Sequence, residues 1–309
     1  MSNFYKFIIV KVRNIMIDLH IHSNNSDGDK SVIEILSIAQ KLALNAISFT
    51  DHETCNAYYQ LEKIDVNTFY NGKIINGIEL KSQYKDIVID ILGYGIDCKK
   101  ITQYLSNVYE NATRDKIQEQ QLEEFYLIGK ANNLYLRAID KLEWDKTKDW
   151  ASIVFYDELK SHIENKEKVP DDMWESFRNF KTNHYHIKED KFYINMAKYY
   201  PKIEDIIDII HKSGGKAFIA HIFEYKQIED KIEELEKIIN EYDIDGIECY
   251  YSNYTKSENI KLLEFTKKHN LLISGGSDYH GDKKPNIQIG IGKGNLEIPK
   301  EILKYWNFI

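Results

Sequence analysis

The chain has only three cysteines, Cys55, Cys98 and Cys249, widely separated and with no C-x-x-C pair. That excludes a disulfide framework and a zinc ribbon, and fits a reducing, cytoplasmic compartment. Proline and glycine are scarce, at 4 and 15 residues, which leaves no composition for a Pro/Gly-rich linker between tethered domains. Apolar runs are short, and none approaches the roughly 18 residues of a membrane span. Residues 7–10 are apolar, but Lys11 and Arg13 follow with no small-residue cleavage site, so a signal peptide is not expected. Residues 1–15 read as a weakly ordered N-terminal extension, or as the product of an upstream start codon, because Met16 directly precedes the first informative strand. Positive charge is also short: 41 Lys+Arg stand against 49 Asp+Glu, a net −8. This argues against a broad basic surface for duplex nucleic acid, though not against a charged pocket for a nucleotide.

What the chain does have is core material, with 43% hydrophobic and 13% aromatic residues. Residues 15–20, 46–50, 74–80 and 87–93 read as strands, and 31–44 as a helix with Ser31 as N-cap and Glu34 three residues on. From about 99 to 200 the strand signals vanish, which predicts a helical insertion domain. The alternation resumes at Pro201, well placed in the first turn of a helix running to His211. Strands at 216–220, 246–250 and 271–274 then alternate with helices at 227–242 and 258–269. About seven strands alternating with helices predict a parallel α/β architecture close to a barrel, built from 16–98 and 201–309.

Chemistry gathers where those strands end. His20 and His22 lie two apart on a strand, so both rings project from one face, with Asp18 one step deeper as a possible acceptor for a ring N–H. Ser26-Asp27-Gly28 follows the same first strand, Thr50-Asp51-His52 the second, Gly77-Ile78-Glu79 lies in the third, and Ala220-His221 and Gly275-Gly276-Ser277-Asp278-Tyr279-His280 end later strands. One pair of histidines could be a surface accident. Five groups of His and carboxylate at ends that a β/α barrel brings to one face are poor core material and point to a site. Imidazole and carboxylate without thiolate suit Mn²⁺, Fe²⁺ or Zn²⁺, and the ligands exceed what one ion needs, so two or three ions are expected. Closely spaced ions suit displacement at phosphorus.

In their order and over residues 16–280, these motifs resemble the PHP (polymerase and histidinol phosphatase) family. The resemblance implies a distorted (β/α)₇ barrel with a helical cap, and phosphoester hydrolysis by metal-activated hydroxide. It also implies a division of ligands. His20, His22, Glu79 and Asp278 would hold one ion, Glu79 would bridge to a second shared with His221, and Asp27, His52 and His280 would hold a third. Asp51 would orient a neighbour or handle a proton, the latter a role also open to His280. Ser-Asp-Gly and the insertion look like the group that dephosphorylates nucleoside 3′,5′-bisphosphates and trims short RNA from the 5′ end. In that group the insertion caps the active site, and Arg114, one of four arginines, is the local candidate for substrate binding. A solvated helix residue is the alternative for Arg114.

The chain departs from the group's pattern twice. Asp90 stands where the group usually has His, and is expected to ligate the second ion as a carboxylate, the alternative being a weak or empty second site; Ile222 follows His221 where proline is common. The expected partner is a small phosphorylated substrate, a nucleotide or short oligonucleotide, with no membrane and no stable duplex nucleic acid. A histidinol-phosphatase-like or sugar phosphatase, an amidohydrolase and a non-catalytic metal-binding module are the rival readings. His184 and His186 read as a surface loop, Cys55 as core, and His162, His211 and His269 as structural helix residues.

Overall fold

The computed structural model describes residues 16–307, so the expectation for residues 1–15 lies outside the described residues. The chain divides into two compact units, one made of 16–81, 90–103 and 206–307, the other of 82–89 and 104–205. Among the described residues no helix is long and apolar enough to cross a membrane.

The first unit carries the strand–helix alternation. Its strands are β1 (Ile17–Ile21), β2 (Ala46–Phe49), β3 (Lys73–Ile74), β4 (Gly77–Tyr84), β5 (Ile87–Tyr94), β6 (Lys216–Ile219), β7 (Gly246–Tyr251) and β8 (Leu272–Gly276), of which β4 and β5 run on into the second unit. They form a three-stranded sheet, β1-β2-β3, and a five-stranded sheet, β4-β5-β6-β7-β8. β1, β2 and β3 pair in parallel, as do β6, β7 and β8. The apolar runs predicted these strands: β1 and β2 are buried along their whole length, as parallel strands covered on both faces must be.

Two features correct the expected barrel. The strands lie in two sheets and no closed barrel forms among the described residues, although a parallel bridge from Ile21 to Tyr279 ties β1 to the segment after β8. The α/β class holds. In addition, β5 runs antiparallel to β6, with Ile91 opposite Ile219 and Gly93 opposite Ala217. The cause is local. Lys85, at φ 52°, and Asp86 turn the chain directly from β4 into β5, and a connection that short cannot make a parallel crossover.

The helices follow their sequence signals. α1 (Val32–Lys41) starts with the Ser31/Glu34 capping box and buries Val32, Ile35, Leu36 and Ala39. After α2 (Asn56–Leu61) and α3 (Cys98–Val108) come α4 (Arg114–Ala131), α5 (Ala151–Ser161) and the short α6 (Asp171–Glu175) and α7 (Phe177–Asn179). α4 to α7 belong to the second unit, whose core is aromatic: Phe125, Phe155 and Phe180 are fully buried against Tyr156 and Tyr185. α8 (Ile203–Lys212), α9 (Lys231–Glu241) and α10 (Lys256–His269) return to the first unit, α9 capped by Asp230 and α10 by a Thr255/Glu258 box.

Four of the five histidines set aside in the sequence, His162, His184, His211 and His269, each find a carboxylate. His211 meets Asp245 at 2.7 Å, His269 meets Glu236 at 2.9 Å and His162 meets Glu158 at 3.0 Å. His184 is a correction: it is buried, with Asp190 at 2.7 Å and Asp172 at 3.1 Å on its two ring nitrogens. The polar neighbourhood that suggests a loop is instead the set of partners that lets this imidazole be buried. Cys55 is buried, as expected of a core residue.

Candidate metal centre

All the candidate ligands belong to the first unit, and six strands (β1, β2, β4, β5, β6 and β8) and their outgoing loops deliver them. β1 presents His20 and, just past its end, His22; both are fully buried. Asp18 shares their strand face, but its oxygens accept backbone N–H groups, those of His20 (3.3 Å) and Ser277 (2.8 Å) on Oδ1 and of Gly290 (2.7 Å) on Oδ2. It ties β1 to the loop after β8 and does not hold a histidine ring. Gly276 has to be glycine for the same junction, since a Cβ there would lie 2.2 Å from the Cβ of His20. The loop then turns through Asp278, whose φ of 56° is rare for a non-glycine residue.

Glu79 on β4 is the centre of the arrangement. Its Oε2 lies 3.1 Å from His20 Nε2 and 3.0 Å from His22 Nε2, and those two nitrogens are 3.1 Å apart. Its Oε1 lies 3.0 Å from His221 Nε2. Asp278 Oδ1 approaches His22 Nε2 at 3.4 Å and His20 Nε2 at 3.7 Å, while its Oδ2 accepts from Tyr251 Oη at 2.8 Å and Lys284 Nζ at 2.6 Å. Asp90 Oδ2 is 3.8 Å from His221 Nε2. The antiparallel register explains how a residue near the start of β5 reaches this end of β6: the Asp90 carbonyl accepts the N–H of Ala220, next to His221. A third set surrounds Asp27, with His280 Nε2 at 3.1 Å, His22 Nδ1 at 3.5 Å and His52 Nε2 at 3.7 Å.

Three groups of potential ligand atoms therefore form, each within 4.8 Å: His20, His22 and Glu79; Glu79, Asp90 and His221; and His22, Asp27, His52 and His280. The donor set fits divalent ions. Ligands at ~2.0–2.2 Å from an ion sit about 2.9–3.5 Å from one another, which is the spacing around Glu79 Oε2. Hydrogen bonding alone leaves His22 Nδ1, His221 Nδ1 and Asp90 Oδ1 buried without a partner.

The electrostatics are those of a crowded polar pocket. Burial opposes charge at His20 and His221, yet the neighbouring carboxylates win: His20 is held well above the usual imidazole value and His221 at about 9. Burial alone would raise Glu79, but the charge on His20 and hydrogen bonds from the His20 and His22 rings hold it well below the carboxylate range. His52, buried and facing Lys81, is pushed down to about 3 and is neutral, the form in which imidazole ligates. Burial, with Glu79 nearby, pushes Asp90 up.

The groups open into a cleft of about 530 Å³, whose walls also carry Lys81, Lys283, Lys284 and Tyr251. Asp51 is buried; it accepts from Ser23 N (2.7 Å), Ser23 Oγ (2.7 Å) and Ser26 Oγ (2.6 Å) and so fastens the loop that carries Asp27. Arg114 lies in the second unit. Its guanidinium donates to the carbonyls of Thr147, Lys148 and Asp149 and lies 4.2 Å over the Trp150 ring. Sequence reasoning missed Glu248 on β7, fully buried, whose Oε1 lies 2.9 Å from His20 Nδ1 and whose Oε2 lies 2.9 Å from His221 N. Its only sequence signal is a glutamate inside an otherwise apolar strand.

No family model matches the chain. Curated relatives do, along nearly its whole length. A 5′-3′ exoribonuclease of Escherichia coli is 23% identical over 94% of this chain and 93% of its own. A 3′,5′-nucleoside bisphosphate phosphatase of Chromobacterium violaceum is 24% identical over 89% and 90%. A phosphoribosyl 1,2-cyclic phosphate 1,2-diphosphodiesterase of Eggerthella lenta is 22% identical over 85% and 94%. Among solved structures, one from Bifidobacterium adolescentis described as a metal-dependent phosphoesterase shares the fold with a TM-score of 0.61 at 19% identity, covering 93% of this chain and 94% of its own. One from Chromobacterium violaceum described as an amidohydrolase does so at 0.60 and 21%, covering 93% and 92%. Its motifs in order, its ligand groups around one glutamate and relatives of this kind over most of its length support a place in the PHP phosphoesterase group.

Proposed function

We propose that the chain hydrolyses phosphate esters of nucleotides, either nucleoside 3′,5′-bisphosphates or short 5′-phosphorylated oligonucleotides, with two or three divalent ions, Mn²⁺, Fe²⁺ or Zn²⁺. The observation that carries this reading is the sharing of Glu79 between two ligand groups that open into one cleft. Relatives named as exoribonucleases and as a nucleoside bisphosphate phosphatase support the substrate class. Ions held there would lower the pKa of a water and neutralise phosphate oxygens.

The chain's own residues do the rest. His20, His22, Glu79 and Asp278 form one ligand set; Glu79, His221 and Asp90 a second; Asp27, His52 and His280 a third. Tyr251 and Lys284 hold one oxygen of Asp278 and leave the other for ligation. Asp51 has its oxygens occupied by Ser23 and Ser26, so in this reading it positions Asp27 and proton transfer falls to His280. The ammonium groups of Lys81, Lys283 and Lys284 raise the local concentration of an anionic ester in a chain of net −8.

Metal-loaded protein should release phosphate or mononucleotide from 3′-phosphoadenosine 5′-phosphate or short 5′-phosphorylated RNA faster than phosphate from histidinol phosphate, and chelation should abolish it. Release from none of the three under Mn²⁺, Fe²⁺ or Zn²⁺ would defeat the proposal and favour a binding module. Preference for histidinol phosphate would move the chain to the rival phosphatase reading. Ligation by Asp90 has its own test: Asp90→Ala should lower the metal content per chain, and unchanged content with unchanged turnover would sink it.

A further inference from the structure

Glu248 is a fully buried carboxylate that faces two N–H groups of two different candidate ligands. A carboxylate only accepts, so with Glu248 Oε1 2.9 Å from Nδ1 the His20 ring keeps its proton on Nδ1 once an ion takes the place of the proton at Nε2. That leaves Nε2 as the atom His20 turns towards Glu79 and His22. The other oxygen, Oε2, accepts the backbone N–H of His221 at 2.9 Å. His221 sits at φ 22°, ψ 51°, a sparsely populated conformation for a non-glycine residue, which persists only where the surroundings enforce it. On the far side of the two rings, Glu79 Oε2 meets His20 Nε2 and Glu79 Oε1 meets His221 Nε2. One carboxylate thus stands behind the same two histidines that another joins in front.

We propose that Glu248 is the positioning residue for two adjacent metal positions: it fixes the His20 tautomer and pins the His221 backbone, so that both Nε2 atoms converge on Glu79. This rests on the reading that His20 and His221 hold ions. Ligating imidazoles characteristically give their second ring N–H to such an acceptor, and losing it costs about 10–100-fold in metal affinity. A merely structural role predicts something else, namely lower stability with unchanged affinity.

E248Q separates the two. The amide keeps the shape of the carboxylate but places an NH₂ against one of two N–H donors. The clash at His20 is relieved only when the imidazole proton moves to Nε2, the ligating atom. Metal-free wild type, E248Q and H20A would be titrated with Mn²⁺ by calorimetry, and their melting temperatures compared. The expected result is about 10–100-fold weaker binding by E248Q at the positions that share Glu79, with melting little changed. Equal affinity in E248Q and wild type overturns the proposal. Should E248Q not fold, ¹⁵N NMR of Zn²⁺-loaded wild type decides: a protonated His20 Nδ1 supports it, and a proton on Nε2 overturns it. Wild type that takes up no Mn²⁺ overturns the metal-centre reading itself, a result distinct from a normal wild type beside a normal E248Q.

Discussion

Glu79→Gln is expected to lower phosphoester turnover about 10²–10³-fold, the scale on which a single preorganised electrostatic group acts. It should also weaken two ions at once. The reason is geometric. Oε2 of Glu79 serves the His20/His22 group and Oε1 serves His221, so among the described residues no other stands in both. Glutamine keeps the volume but removes the charge, and its NH₂ has to face a histidine nitrogen on one side or the other. The buried position makes the loss costly, because Glu79 is 1% exposed and its partners are left facing a neutral amide. Activity on the responsive substrate, metal content and circular dichroism should be measured on one preparation. A folded Glu79→Gln protein with wild-type metal content and near-native rate would show that the centre has been assigned to the wrong residue.

The part of this centre that the sequence made legible is the part coded in short motifs. His20-x-His22 needs only the two-residue period of a strand, and Ser-Asp-Gly, Thr-Asp-His and Ser-Asp-Tyr-His each place a donor just beyond a strand end. The Ser31/Glu34 capping box marked the start of α1 for the same reason, since a four-residue stretch suffices to state it. Glu248 was not legible. It lies 228 positions from His20, and only the folded sheet brings the two together. Asp18 shows the converse: its strand face was right, but its partners are backbone N–H groups 259 and 272 positions away. The reversed β5 originates in the direct turn at Lys85-Asp86, which fixes a direction that strand propensity does not encode.

The helical unit was legible only as a loss of strand signals, yet its core makes the second large prediction. Phe180→Ala is expected to cost about 3–5 kcal/mol, the usual range for removing a fully buried phenylalanine. The ring is 0% exposed and touches aromatic neighbours on several sides. Its centroid lies 5.1 Å from Tyr185, 5.6 Å from Tyr156 in a near-parallel stack, 5.8 Å from Phe125 and 5.9 Å from Phe155. Those neighbours come from α4, α5 and the turn that carries Phe180, so the cavity left by alanine is walled by separate segments that cannot all collapse inwards. Phe180→Leu keeps much of the volume and should recover part of the loss, which a purely local helix-propensity effect would not reproduce. Urea unfolding of the three proteins, with limited proteolysis mapped to residues 104–205, reads both. If Phe180→Ala cost no more than an ordinary surface substitution, within about 0.5 kcal/mol, the aromatic cluster would not be the core that holds this unit together.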